Sequence, residues 1–175
     1  MDSRGGSLNI TYKWAMPNHE TFRINPIDSW IKEGLKGGLI LDPFANRRSD
    51  YGAVTNDINP SALTVNFNMD ALKFLKQYNT NSVDSVLFDP PYSLRQVKEC
   101  YSSIGMALTQ RESQCFFSDV KDQIARVLKP GGVCLSFGWS SVGIGASRGA
   151  NKTALLIVCH GGIHNDTLCL KEVMI

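Results

Sequence analysis

Six short apolar runs punctuate the sequence: "GLILD", "GAVTND", "SVLFD", "GGVCLSFG", "TALLIVC" and "TLCLKEVMI". Each has about the length of a buried strand and is bounded by turn residues. Helical patterns lie between several of them. "PIDSWIKEGLKGG" opens on proline, carries apolar residues at helical spacing and closes on glycines, and "DALKFLKQY" and "SDVKDQIARVLKPGG" share the same grammar. Parallel neighbours need a crossover connection, so this alternation predicts an α/β fold with a mostly parallel sheet. The last two runs, joined by a short glycine-rich stretch, suit an antiparallel pair. With 175 residues and 43% hydrophobic content the chain can bury one substantial core, so residues 1–175 read as a single domain.

In an open parallel sheet, ligands collect beyond the carboxyl ends of the strands. Asp42, Asp57 and Asp89 each end an apolar run, and Asp70 comes after "TVNFNM", which reads as a possible further strand. Four acids on one rim are the main chemical signal. Aspartate also caps helices and forms turns: Asp70 opens "DALKFLKQY" and suits an N-cap, and Asp57 in "TNDINPS" suits a turn. Asp89 differs. Pro90 and Pro91 remove two backbone donors and stiffen the chain after it, so the segment cannot continue as strand or helix.

A rigid loop of this kind fixes the Asp89 carboxylate and the Pro90 carbonyl as neighbouring acceptors, with the Tyr92 ring close by. Such a set matches a planar group carrying an NH2. An exocyclic amine of a nucleobase is a poor nucleophile because its lone pair is delocalised. Two acceptors on its hydrogens favour a more tetrahedral nitrogen and aim the lone pair outward. A base stacked on Tyr92 would gain roughly 1–3 kcal/mol.

"DPPY" after an apolar strand resembles the catalytic motif of the S-adenosylmethionine-dependent DNA amino-methyltransferases, which methylate the exocyclic amine of adenine or cytosine. "LILDPFAN" resembles that family's cofactor loop, "TNDINP" its acid after the second strand, and "NMDALKFL" its adenine-contacting acid. "YKWAMPNHETFRINPI" resembles the segment holding the methionine end of the cofactor, and "RVLKPGGVCLSFGW" the strand after the catalytic loop. The likeness covers most of the chain, in family order. It implies a Rossmann-like class I methyltransferase fold of about seven strands with the last antiparallel, and S-adenosyl-L-methionine as cofactor.

Carried over by position, the resemblance makes Asp89, Pro90, Pro91 and Tyr92 the catalytic loop. Asp42, Pro43, Phe44 and Ala45 become the cofactor loop, with Ala45 and Asn46 where the family often has glycine or another small residue. Asp57 would accept from the ribose hydroxyls and Asp70 from the cofactor's adenine amine; Asn18, Thr21 and Phe22 would lie near its methionine. Tyr92 and Trp139 would meet the target base. Arg95 and Lys98 would contact phosphate, and Arg47, Arg48, Arg148 and Lys152 also flank the rim; each reads equally as solvated surface.

The reading "Asp-Pro-Pro-Tyr" favours adenine over cytosine, where the loop more often begins with serine. A ring-carbon mechanism needs a thiolate, and the sequence has no Pro-Cys pair. DNA is the expected partner, with an RNA base amine or a catalytically silent nucleic-acid-binding role as alternatives. A separate target-recognition domain has no room between the motifs, which implies a short or permissive recognition sequence or one borrowed from a second subunit. Net charge of +2 neither demands nor excludes nucleic acid.

The 5 cysteines form no Cys-x-x-Cys pair and read as reduced core thiols, which implies a cytoplasmic setting. No run reaches the roughly 20 apolar residues of a membrane span, and "MDSRGGSLNITYKW" lacks a signal-peptide layout, so no membrane partner is expected. His160 and His164 in "CHGGIHND" flank glycines that favour a hairpin over a metal site. "GWSSVGIGASRG" reads as a flexible stretch that closes over substrate, or as a plain long loop.

Overall fold

The computed structural model describes residues 7–47 and 49–175; Arg48, one of the flanking cations, lies outside them, as do residues 1–6 of the opening segment. Strands β1 (Asn9–Trp14), β2 (Ile40–Asp42), β3 (Val54–Thr55), β4 (Val83–Phe88), β5 (Leu128–Gly138), β6 (Ala150–Cys159) and β7 (Thr167–Met174) form one sheet in the order β1-β6-β7-β5-β4-β2-β3. β7 runs antiparallel to both β5 and β6, and every other pairing is parallel.

All six apolar runs form strands. The stretch "TVNFNM" does not: it contributes only a parallel bridge between Asn56 and Phe67. The seventh strand is instead β1, "NITYKW", whose residues are all exposed and which therefore lacks the apolar density that marks a buried strand.

Among the described residues, four helices flank the sheet: α1 (Asn25–Gly34), α2 (Ala71–Leu75), α3 (Leu94–Ser103) and α4 (Gln110–Val127). Each starts on a readable signal. Pro26 sits in the first turn of α1, Ser93 caps α3 by accepting from the Gln96 amide, and Thr109 with Glu112 forms a capping box on α4. Ile27 and Ile31 of α1 pack with Leu87, Leu135 and Phe137 on one face of the sheet. On the other, Phe116, Val120, Ile124 and Val127 of α4 form an apolar stripe against Val86, Phe88 and Cys134. The segment "RQVKECYSSIGMALTQRES" is α3 and the first turn of α4, both part of this core.

No helix separates β5 from β6. The connection holds a single 3-10 turn, Ala146–Arg148, and it is pinned down. Glu172 of β7, 1% exposed, accepts from the backbone amides of Ile144 (2.6 Å) and Gly145 (3.0 Å). Gly143 has φ +62°, and a Cβ there would collide with the Glu172 carboxylate. Arg148 donates to Ile144 O, to the Ser118 hydroxyl and to Asp122. These bonds favour the plain-loop reading over a closing flap. Among the described residues, no helix is long and apolar enough to cross a membrane.

Candidate functional site

The carboxyl ends of β2 to β5 open into a cleft of about 800 Å3. It is lined by Asn18 and Thr21 before α1, Pro43, Phe44 and Asn46 after β2, Asp57 after β3, the whole Asp89–Tyr92 loop after β4, and Trp139 after β5. Residues far apart in sequence therefore meet on one rim, where a parallel sheet puts its ligands.

Asp89 lies at the centre. Its Oδ1 accepts from the Tyr92 hydroxyl at 2.8 Å, and that hydroxyl is 3.3 Å from Thr21 Oγ1. Burial pushes the Asp89 carboxyl up to about 6, against the lowering effect of hydrogen bonds from Tyr92 and Thr21. Burial, together with the nearby Asp89 charge, also raises the Tyr92 phenol above its ordinary value. Gln96 Oε1 accepts from the Tyr92 amide at 2.7 Å, tying the loop to α3. Trp139 stands edge-on to Tyr92 with ring centroids 5.3 Å apart.

The loop after β2 is built around Asn46. Its φ of +53° is the left-handed conformation that glycine adopts freely, and asparagine is among the few other residues that enter it readily. Its amide donates to Asp57 Oδ2 at 3.0 Å, while the Asn59 amide donates to Asp57 Oδ1 at 2.7 Å. Each carboxylate oxygen keeps a further lone pair. Behind the loop, buried Asn56 donates to Pro43 O (3.1 Å) and Met69 O (3.0 Å) and accepts from the Met69 amide (3.2 Å). Asn56 sits inside "TNDINP" and Gln96 just past "DPPY", but only their hydrogen bonds reveal that they shape the rim.

Four expected cofactor residues stand elsewhere. Asp42 is 2% exposed and borders a neighbouring hollow with Phe22 and Ala45. Burial holds its carboxyl well above the usual range, helped by the Asp89 and Asp57 charges and opposed by the Phe44 amide, which donates to it at 3.2 Å. Phe22 packs on Phe137 and Tyr51. Ala45 faces the same side hollow, and its amide donates to Asn56 O. Asp70 caps α2 by accepting from the Lys73 amide, and its second oxygen accepts from the Tyr101 hydroxyl at 2.5 Å, so it does not line the cleft.

The cations are dispersed. Arg95 and Lys98 lie on the exposed face of α3 beside a shallow hollow, outside the cleft, and Arg95 pairs with Glu99 at 2.7 Å. Arg47 pairs with Glu20, Arg148 is held by the β5–β6 loop and α4, and Lys152 donates to Ser141 O. His160 bridges Ala15 O and the Thr167 hydroxyl at the β6–β7 hairpin, and among the described residues no group of three or more His, Cys, Asp or Glu is placed to hold a metal ion. All five cysteines are free.

No family model matches the sequence, and no curated protein does either. Solved structures do resemble the fold. TrmN from Thermus thermophilus is 14% identical with a TM-score of 0.56, over 87% of this chain and 49% of that one. The putative methyltransferase yhhF from Escherichia coli is 12% identical with a TM-score of 0.52, over 86% of this chain and 85% of that one. The N-methyltransferase NodS from Bradyrhizobium japonicum WM9, in complex with S-adenosyl-l-homocysteine, is 10% identical with a TM-score of 0.50, over 82% of this chain and 81% of that one. The chain spans about half the length of TrmN. At such identities the likeness is one of fold, and the sheet order with antiparallel β7 gives this protein the Rossmann-like class I methyltransferase fold.

Proposed function

We propose that the protein is an S-adenosylmethionine-dependent methyltransferase acting on the exocyclic amine of adenine in DNA. The observation that carries this reading is the Asp89–Tyr92 loop, whose carboxylate is raised to about 6 and opens into the same cleft as Asn46 and Asp57. The cleft suits the cofactor: Asp57 keeps acceptor capacity for two ribose hydroxyls, Phe44 offers an apolar wall, and Asn18 and Thr21, which line the same cleft, would hold the methionine end. Its volume of about 800 Å3 falls in the range of small-molecule sites.

When bound, S-adenosylmethionine supplies an activated methyl group on a sulfonium centre. The chain's residues prepare the other reactant. Asp89 and the Pro90 carbonyl accept the two hydrogens of the amine, turning its lone pair toward the cofactor side of the cleft, and Tyr92 and Trp139 flank the base. As the nitrogen loses its lone pair to the new bond it becomes acidic, and Asp89 takes the proton at its carboxylate. A group titrating near 6 is ionised at neutral pH and still basic enough for that task. We infer a short or permissive recognition sequence, with affinity supplied mainly by phosphate contacts from residues such as Arg95 and Lys98 and hence steeply salt-dependent.

The test is incubation of the purified chain with methyl-labelled cofactor and duplex DNA, single-stranded DNA or RNA. The reading expects label in DNA as N6-methyladenine, lost in Asp89→Ala. Label in RNA alone would replace the substrate, and absence of cofactor binding by calorimetry would overturn the activity itself.

A further inference from the structure

The edge strand β1 carries a feature that the cleft does not use. Leu8, Ile10, Tyr12, Trp14 and Met16 alternate along it and are 38–68% exposed, whereas Asn9, Thr11 and Lys13 face the hollow beside α1. The five apolar side chains therefore share the opposite face of the sheet, on the side where the β5–β6 connection supplies a 3-10 turn rather than a helix. Together they expose on the order of 600 Å2, at the upper end of what a monomer usually leaves open.

Among the described residues, the outer backbone edge of the strand is also without a partner. The Ala15 amide donates inward to Cys159 O at 3.1 Å, which sets the alternation: odd residues bond β6, and the N–H and C=O groups of Ile10, Tyr12 and Trp14 point out from the sheet edge. No proline or bulge interrupts Asn9–Trp14, and its one charge, Lys13, lies on the other face. Natural edges are normally blunted by such devices.

We propose that β1 is a dimerisation strand that pairs antiparallel with β1 of a second copy across a twofold axis at Tyr12. The stripe is symmetric about that residue. In this register Tyr12 opposes the partner's Tyr12, Ile10 opposes the partner's Trp14, and Leu8 opposes the partner's Met16, so every apolar side chain meets an apolar one. The same register makes Tyr12–Tyr12 and Ile10–Trp14 the hydrogen-bonded pairs of an antiparallel ladder, which uses all the outward N–H and C=O groups of these three residues. A one-residue slip would set apolar against polar faces. A second copy fits because the surface is complementary to itself in side chains and backbone at once, the condition for a twofold interface. Buried area is on the order of 1,000 Å2 in total, the low end for a specific complex, so the dimer is expected to dissociate in the micromolar range. The two clefts then open at opposite ends of a continuous fourteen-stranded sheet, twice the seven strands of one chain.

Sedimentation velocity of the purified full chain across micromolar concentrations tests the proposal. Wild type should move from monomer to dimer as concentration rises. Tyr12→Pro removes an outward donor, which an edge strand tolerates, and Tyr12→Lys places two charges together at the axis; both should stay monomeric with unchanged circular dichroism. If Tyr12→Pro does not fold, Tyr12→Lys decides alone. Under mild oxidation Tyr12→Cys should yield a disulfide-linked dimer well above the wild-type background, since opposed Cα atoms about 5.5 Å apart can be bridged, while Lys13→Cys should not. A wild type that is monomeric at every concentration, a dimer indifferent to substitution at Tyr12, or equal crosslinking through position 13 would overturn it.

Discussion

The backbone amide of Asn46 donates to Asp57 Oδ2 at 3.0 Å, joining the loop after β2 to the acid after β3. This bond depends on the left-handed conformation of Asn46, so Asn46→Gly should bind cofactor about as well as wild type. Asn46→Val should weaken binding by roughly tenfold, because a β-branched residue at this φ costs about 1–2 kcal/mol. Isothermal titration with S-adenosylhomocysteine checks both.

Asp57→Ala removes the acceptor for Asn46 and Asn59 together with the proposed ribose contact. The cofactor dissociation constant should rise tenfold or more, the scale of a hydrogen bond to a charged group. Asp89→Ala should leave that constant nearly unchanged while methyl transfer disappears. Equal affinity in wild type and Asp57→Ala would remove Asp57 from the site.

Asp89 must be ionised to accept from the amine, and its carboxyl titrates at about 6. Methyl transfer measured as kcat/KM should therefore fall as pH drops through 6. Tyr92→Phe keeps the ring but deletes a hydrogen bond that lowers Asp89, so its acid limb should move to higher pH. A limb unmoved by Tyr92→Phe would mean that Asp89 does not set the profile.

The same shift has a stability consequence of opposite sign. The folded value of Asp89 lies above its ordinary 3.8, so its favourable contribution is fully present below that value and is lost as pH rises through about 6. Above pH 6 the ionised carboxylate costs up to ~3 kcal/mol. Asp89→Asn should melt at a higher temperature than wild type in mildly alkaline buffer and lose that advantage near pH 4. Scanning calorimetry at the two pH values measures it.

Glu172 is another buried acid, but its work is structural. Glu172→Ala leaves the Ile144 and Gly145 amides without their acceptor, at about 1–3 kcal/mol each. The expected loss is ~2–6 kcal/mol in urea unfolding, with Glu172→Gln milder because its amide oxygen still accepts one bond.

The sequence reveals the parts of the fold that announce themselves by apolar density. β2, β4 and β5 are largely buried and β6 and β7 partly so, all five read as apolar runs, and α4 shows both its capping box and its stripe. β1 writes only an alternation of apolar Leu8, Ile10, Tyr12, Trp14 and Met16 with other residues, so it does not stand out by apolar density as the continuous runs do. In the site, Asp89, Tyr92, Asp57 and Trp139 can be placed by the strands they come after. Asp42, Phe22, Ala45 and Asp70 cannot, since a residue at a strand end can turn to either side of the rim, and the choice is made by neighbours such as Tyr101 and Phe44. Asn56 acts through both ends of its amide on residues 13 positions away, a relationship that no local pattern encodes.

Strand length falls sharply toward one margin of the sheet. At the side bearing Asn46 and Asp57, β3 is two residues long and β2 three, with Asn56–Phe67 as an isolated bridge, whereas β5, β6 and β7 run for eight to eleven. Backbone amides of β2 and β3 should therefore exchange with deuterium through local opening, well before those of β5 to β7, which exchange only when the whole domain unfolds. A ligand that bridges the Asn46 loop and Asp57 would close that loose margin, and its binding would appear as slowed exchange concentrated in residues 40–57 before any rise in global melting temperature.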